Sequence, residues 1–158
     1  MEIKKLDPNA KIPTRGSDGA AGFDLYALSV EGDKFTVEGD GNIAHIQNES
    51  IVKVHTGIAM AIPKGYVGLV FPRSGLATKQ GLRLANCVGV IDEDYRGEVI
   101  VCIHNDTIAG KPDIAEIQIG DRVAQIVFVK YEAFELNEVD ELDSTKRGEG
   151  GFGSTGTH

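Results

Sequence analysis

Apolar residues recur along this chain in short runs, many of them alternating with polar ones and most of them closed by Gly or Pro. Phe23, Leu25 and Ala27 alternate with Asp24 and Tyr26. Lys34-Phe35-Thr36-Val37 and Asn42-Ile43-Ala44-His45-Ile46 flank Glu38-Gly39-Asp40-Gly41, a turn signal. Ile51–Ala61 and 65–71 are separated by Pro63-Lys64-Gly65, and two further runs rich in β-branched residues cover 99–103 and 122–129. Period two and β-branched side chains predict strands, and no long stretch carries the helical period. The pattern therefore predicts an all-β sandwich or barrel over residues 1–143. Residues 29–50 look like an extra hairpin on that body. Residues 132–143 are acidic and weakly patterned, and a Gly-rich C-terminal arm follows over 144–158.

The centre of the pattern is Val88-Gly89-Val90-Ile91-Asp92-Glu93-Asp94-Tyr95-Arg96-Gly97-Glu98-Val99. An apolar run meets three acids, an aromatic and a Gly, then drops back into an apolar run. Asp92 falls where the first run stops, at the expected mouth of a core. A carboxylate held there by backbone and still open to water suits a general base. An ordinary acidic turn would look much the same. Asn86 lies six residues before Asp92. In one straight strand the two would be roughly 20 Å apart. A reversal near Gly89 would make them cross-strand neighbours about 5 Å apart, facing one pocket.

Other stretches carry candidate chemistry. In Phe71-Pro72-Arg73-Ser74-Gly75-Leu76-Ala77, Pro72 should end a strand. Ser74 and Gly75 then offer a hydroxyl and bare N–H groups beside the Arg73 guanidinium, a candidate anion nest. Ser74 could equally cap a short helical turn. Gln125 interrupts the apolar run 123–129 and needs partners for its amide. Asp24 within its strand reads either as solvent-facing or as a ligand to metal-bound water. The C-terminal stretch 147–156 contains five Gly in ten residues. It matches G-x-G-x-x-G formally, but no strand precedes it closely and no helix can follow, so a dinucleotide fingerprint is excluded. Arg147, Phe152, Gly153 and Ser154 instead suit phosphate gripping, base stacking and close backbone approach.

Composition narrows the classes. The 158 residues carry a formal net charge of −8, with 41% hydrophobic and 25% charged positions. That is an ordinary balance for one globular domain. The acidity argues against a nucleic-acid backbone as partner, so an anionic ligand would need locally gathered cations or a metal. No apolar run is long enough for a membrane span, and the first residues lack the apolar block of a signal peptide. Cys87 and Cys102 both lie in strand-like runs, which predicts buried reduced thiols and a reducing, cytoplasmic compartment. No zinc-ligand spacing occurs.

Five motifs stand in a fixed order: Ala21-Gly22-Phe23-Asp24-Leu25-Tyr26; 72–77; 89–99; Gly120-Asp121-Arg122-Val123-Ala124-Gln125; and 147–156. Together they closely resemble the trimeric dUTPase family, the deoxyuridine 5′-triphosphate nucleotidohydrolases, over nearly the whole chain. The resemblance implies a jelly-roll β fold, a homotrimer with active sites shared between subunits, and Mg2+-assisted hydrolysis of dUTP to dUMP and pyrophosphate. Such an activity limits uracil incorporation into DNA and supplies dUMP for dTMP synthesis. It assigns Asp92 to water activation, Asp24 to the Mg2+ shell through water, and Arg73, Ser74, Gly75 and Gln125 to the triphosphate. Asn86 and the segment through Val90 and Ile91 would read the uracil edge, and Tyr95 would pack under the sugar. Arg147, Phe152, Gly153 and Ser154 would close over the nucleotide from a neighbouring subunit's arm. Segment 29–50 is longer than the family pattern leads one to expect. A dCTP deaminase resembles the same fold and would need a catalytic glutamate, for which Glu98 is the candidate. A non-enzymatic jelly-roll binding protein is the third reading.

Overall fold

The computed structural model describes residues 1–106 and 113–151. Among them it contains one helix, α1 (Ser74–Gln80), and thirteen strands. The strands are β1 (Glu2–Lys5), β2 (Thr14–Arg15), β3 (Phe23–Tyr26), β4 (Ser29–Gly32), β5 (Phe35–Glu38), β6 (Ile43–Gln47) and β7 (Ile51–Ala61). They continue as β8 (Tyr66–Pro72), β9 (Leu82–Leu84), β10 (Gly89–Ile91), β11 (Glu98–Asn105), β12 (Ile114–Gln118) and β13 (Arg122–Lys130). The all-β expectation holds. One sheet runs β1-β7-β11-β9, with β4 also on β7; a second runs β10-β8-β13-β3-β2; a third runs β12-β6-β5. Every one of these pairings is antiparallel.

The inward face of each sheet is the apolar face of its alternation. In β11, Val99, Val101 and Ile103 are buried while Ile100 is exposed, and in β12 Ala115 and Ile117 are buried between exposed neighbours. These residues meet Leu25, Ile46, Val54, Ile58 and Ile126 in one core. Strand β7 is long enough to carry β4 along its first half and β1 along its second, with β11 on the other side. The change of partner falls at Gly57, whose φ is 66°. A Cβ there would lie 2.7 Å from both Ala10 Cβ and Leu28 Cδ2, so neither the angle nor the space admits a side chain.

Three expectations are corrected. The hairpin of β5 and β6 forms around the predicted turn, but segment 29–50 is not an appendage. Strand β4 extends the first sheet, β6 pairs with β12, and Ala44 and Ile46 are in the core. The buried Asn105 amide donates to the Ile46 carbonyl at 2.9 Å, which ties β11 to the same strand. The second correction concerns the reversal between Asn86 and Asp92. It occurs at 85–88, where Cys87 takes φ 62°, and not at Gly89, which opens β10. Strands β9 and β10 do not pair; β9 joins β11 and β10 joins β8. Asn86 and Asp92 are thus not ladder partners, because the reversal sends the chain from one sheet to another. Cys87 is exposed in that turn and Cys102 half-buried, and both thiols are free; neither is fully buried as their surroundings in sequence predict.

If β6 belongs to the core, Ile46→Ala should cost about 2–5 kcal/mol of unfolding free energy, as for other buried Ile truncations. Chemical denaturation measures this, and a loss under about 1 kcal/mol would mean the segment is an ornament after all.

Candidate active site

The phosphate-gripping candidates converge at one end of the second sheet. Strand β13 lies between β3 and β8, and its register sets Gln125 beside Asp24 on one side and Phe71 on the other. The Gln125 amide donates to the Pro72 carbonyl at 3.2 Å, which supplies the partner that a mid-strand amide needs. Gly22 makes room for it, since a Cβ there would stand 2.8 Å from Gln125 Oε1. Asp24 is 8% exposed, so the solvent-facing reading fails. A carboxylate at that depth requires partners, and it has two: Arg73 Nε at 3.1 Å and Arg122 Nη1 at 3.3 Å. Arg73 also donates to the Arg122 carbonyl at 3.3 Å. Sequence reasoning misses Arg122; its only signal is a cation three residues before Gln125, in the same motif.

Helix α1 starts at Ser74, with Arg73 as the extended N-cap residue and no side-chain cap. Ser74 is therefore the first helical residue and not its cap. Ser74 and Gly75 are both exposed, and nothing lies within 4 Å of where a Gly75 Cβ would be. The N–H groups of a first helical turn have no intrahelical acceptors, so they remain available to an anion held by Arg73.

The second group gathers around β10. Asn86, Gly89, Val90 and Ile91 line a small cavity of about 100 Å3 that reaches Cys102. Val90, 61% exposed, also borders the adjoining hollow of about 630 Å3, which Asp92, Glu93, Asp94, Val67, Leu69 and Tyr131 complete. Asp92 is exposed at its rim. The turn that carries it is closed by the Tyr95 N–H on the Asp92 carbonyl at 3.2 Å. The Tyr95 hydroxyl donates to the Glu98 carbonyl at 2.9 Å, and its ring lies so close over Gly97 that a Cβ there would have no room.

Glu98 is already engaged. Its carboxylate takes the Gly57 N–H at 2.7 Å and His55 Nδ1 at 2.9 Å, while His55 Nε2 meets Glu31 at 3.1 Å. Such a group braces β7 against the start of β11, and the deaminase reading loses its glutamate. The pKa of His55 is raised, chiefly by the Glu98 hydrogen bond and further by Glu31, against the opposing effect of burial.

In a single chain the two groups are far apart. Ile91 pairs with Gly68, so Asp92 comes level with Val67, near the start of β8, whereas Arg73 follows its last residue. The chain from Val67 to Arg73 spans roughly 20 Å. Arg147 belongs to neither group; its Nε donates to the Gly150 carbonyl at 2.8 Å, within the arm. Phe152, Gly153 and Ser154 lie outside the described residues.

A family model for dUTPase matches residues 8–156. The chain belongs to the dUTPase family. It is 46% identical to a deoxyuridine 5′-triphosphate nucleotidohydrolase of Corynebacterium glutamicum, over 99% of this chain and 94% of that one. It is 42% identical to the enzyme of that name from Mycobacterium tuberculosis, over 100% of this chain and 96% of that one. Among solved structures it resembles the Staphylococcus bacteriophage 80alpha dUTPase with dUPNHPP, with a TM-score of 0.79 and 29% identity over 99% of this chain and 98% of that one. It also resembles a mutant dUTPase of phage phi11 of S. aureus, whose structure is described as revealing coordination of a structural Mg(II) ion, with a TM-score of 0.72 and 26% identity over 89% of this chain and 96% of that one. No helix among the described residues of this dUTPase-family chain is long and apolar enough to cross a membrane.

The raised His55 pKa has a definite sign. Protonated His55 is favoured by the fold, so its contribution is full below the unfolded value of 6.5 and is lost as pH rises through the higher folded value. The melting-temperature gap between the wild type and His55→Gln should therefore be wider near about pH 6 than near about pH 8. Thermal melts across that range check this, and a gap that widens with pH would contradict it.

Proposed function

We propose that this dUTPase-family chain hydrolyses dUTP to dUMP and pyrophosphate in a site assembled from more than one copy of itself. One observation supports the shared site above the others. The family's motif residues fall into two groups at the two ends of β8, a cation cluster at Arg73 and Arg122 and an exposed carboxylate beside a partly apolar hollow at Asp92. Neither group alone can both hold a triphosphate and activate water at it. A homotrimer, in which one subunit presents its cluster to the Asp92 turn of the next, joins them.

In that arrangement Arg73, Ser74, Gly75 and Gln125 hold the triphosphate, and the guanidinium oriented by Asp24 faces the phosphate charge. Asn86 and the backbone at Val90 and Ile91 read the uracil edge. Backbone donors and acceptors reject cytosine by leaving buried groups unpaired. Tyr95, held over Gly97, forms the floor for the deoxyribose. Asp92 accepts the proton of the water that attacks the α-phosphorus in line, and pyrophosphate departs. Arg147, with Phe152, Gly153 and Ser154, closes the site and excludes water.

The donor set also bears on metal. Among the described residues no group of three or more His, Cys, Asp or Glu side chains is arranged to hold a metal ion by itself. Asp24 is the carboxylate that the cation cluster encloses. This fits Mg2+, which keeps several waters and is held by one or two carboxylates together with substrate phosphates. Bound there, Mg2+ would neutralise phosphate charge, with Asp24 reaching its water shell. The two free thiols suit a reducing cytoplasm.

Pyrophosphate release from dUTP, compared with dTTP, dCTP and UTP, tests the reaction; strong preference for dUTP is expected. Asp92→Asn should bind substrate and lose about 10²–10⁴-fold in kcat, the usual contribution of a general base. Near-normal kcat would remove Asp92 from that role. Arg73→Ala and Asp92→Asn chains, each inactive alone, should regain activity when assembled together, because some sites then draw both intact groups from different chains. No recovery in mixed assemblies would rule out the shared site.

A further inference from the structure

The residue after the candidate base is fastened in a way that general acidity of the turn does not require. The Glu93 carboxylate accepts a hydrogen bond from the Gly65 backbone N–H. Gly65, at φ 80°, ends the tight connection between β7 and β8, where the Tyr66 N–H closes onto the Pro63 carbonyl at 3.1 Å. The Gly65 carbonyl in turn accepts the N–H of Tyr131 at 3.0 Å, the first residue after β13, where the chain leaves the sheet. The Tyr131 phenol is held protonated to higher pH by desolvation and by its hydrogen bond to Glu93. Arg96 fixes the same turn from the other side, donating to the Glu93 carbonyl at 2.7 Å and the Tyr95 carbonyl at 2.9 Å.

Asp92 thus stands between two anchored neighbours. Ile91 is locked into the ladder with Gly68, and Glu93 is locked to Gly65, whose carbonyl in turn holds the Tyr131 N–H. The Asp92 side chain is left exposed while its backbone is held from both sides. Asp94, next along, is exposed as well and has no such anchor among the described residues. Of the three consecutive acids, one lies at the hollow's rim for chemistry and one fastens the turn to the framework.

We propose that Glu93 is a positioning residue for Asp92, and that through Gly65 and Tyr131 it couples the aim of that carboxylate to the point where the chain leaves β13. The inference rests on the reading of Asp92 as the base. Misplacing a catalytic group by about 1 Å can cost on the order of 10²-fold in rate, so a tether of this kind acts on turnover more than on binding.

The test uses the full-length protein with Glu93→Ala, Glu93→Gln and Tyr131→Phe, alongside Asp92→Asn. Glu93→Ala should lower kcat about 10–100-fold, while affinity for a non-hydrolysable imido analogue of dUTP stays within about threefold. Glu93→Gln keeps an acceptor for the Gly65 N–H and should recover part of the loss. In an Asp92→Asn background, Glu93→Ala should lower the residual rate by no more than about threefold, because a residue acting through Asp92 is silent once Asp92 is gone. A purely structural role would lower both backgrounds alike and weaken analogue binding in step, and that result overturns the proposal. So does a Glu93→Ala enzyme within about twofold of wild type while Asp92→Asn is inactive. Should Glu93→Ala fail to fold, wild-type turnover in both Glu93→Gln and Tyr131→Phe overturns it instead. An active Asp92→Asn enzyme is a different failure, since it removes the base itself and the tether's purpose with it.

Discussion

The register of β8 constrains every part of the proposed site. Strand β10 binds one edge of β8 over Gly68–Val70 and β13 binds the other edge along its length. The first pairing delivers Asp92 to one end, and the second delivers Gln125 and, through β3, Asp24 to the other. A strand of this length cannot fold back on itself, so no side-chain motion within one chain closes a gap of roughly 20 Å. Under the proposed chemistry, the ladder that stabilises the sheet is therefore what leaves a single copy incomplete. The need for assembly then follows from backbone geometry before any interface residue is considered.

Charge follows the same division. With a formal net charge of −8, the chain must concentrate cations where a triphosphate would sit. It does so by burying an anion among them. Asp24 holds Arg73 and Arg122 side by side, two like charges that would otherwise repel. The acids at the opposite end are each put to separate use. Glu98 is engaged by His55 and Gly57, Glu93 is tied to Gly65, and Asp92 is left open to the hollow. Similar residues in one short stretch acquire different roles because each meets a different strand.

Segment 29–50 is built into the framework. Strand β4 takes an edge position on β7, and β6 offers one edge to β5 and the other to β12. Glu31 from β4 reaches His55, so the segment also contributes to the brace beside Glu98. An element that reads as peripheral in the sequence shares its hydrophobic core and one of its ion pairs with the framework of the candidate site.

Much was legible from residue order alone. The alternation of Phe23 to Ala27, the long run Ile51–Ala61 and the turn between Val37 and Asn42 each specify a local conformation, because φ/ψ preference and side-chain period are local properties. Five ordered motifs were sufficient for the family. Burial and partnership were not legible. Asp24 alternates like a solvent-facing residue yet lies under two arginines, Cys87 looks buried yet is exposed in a left-handed turn, and Asn86 and Asp92 look like hairpin partners yet leave for different sheets. The sequence by itself determined where strands begin, end and alternate, since those depend on neighbours a few residues away. Only the tertiary structure decided which strand lies beside which, and hence which charge meets which, because those pairings join residues as far apart in the chain as Phe23 and Ile126.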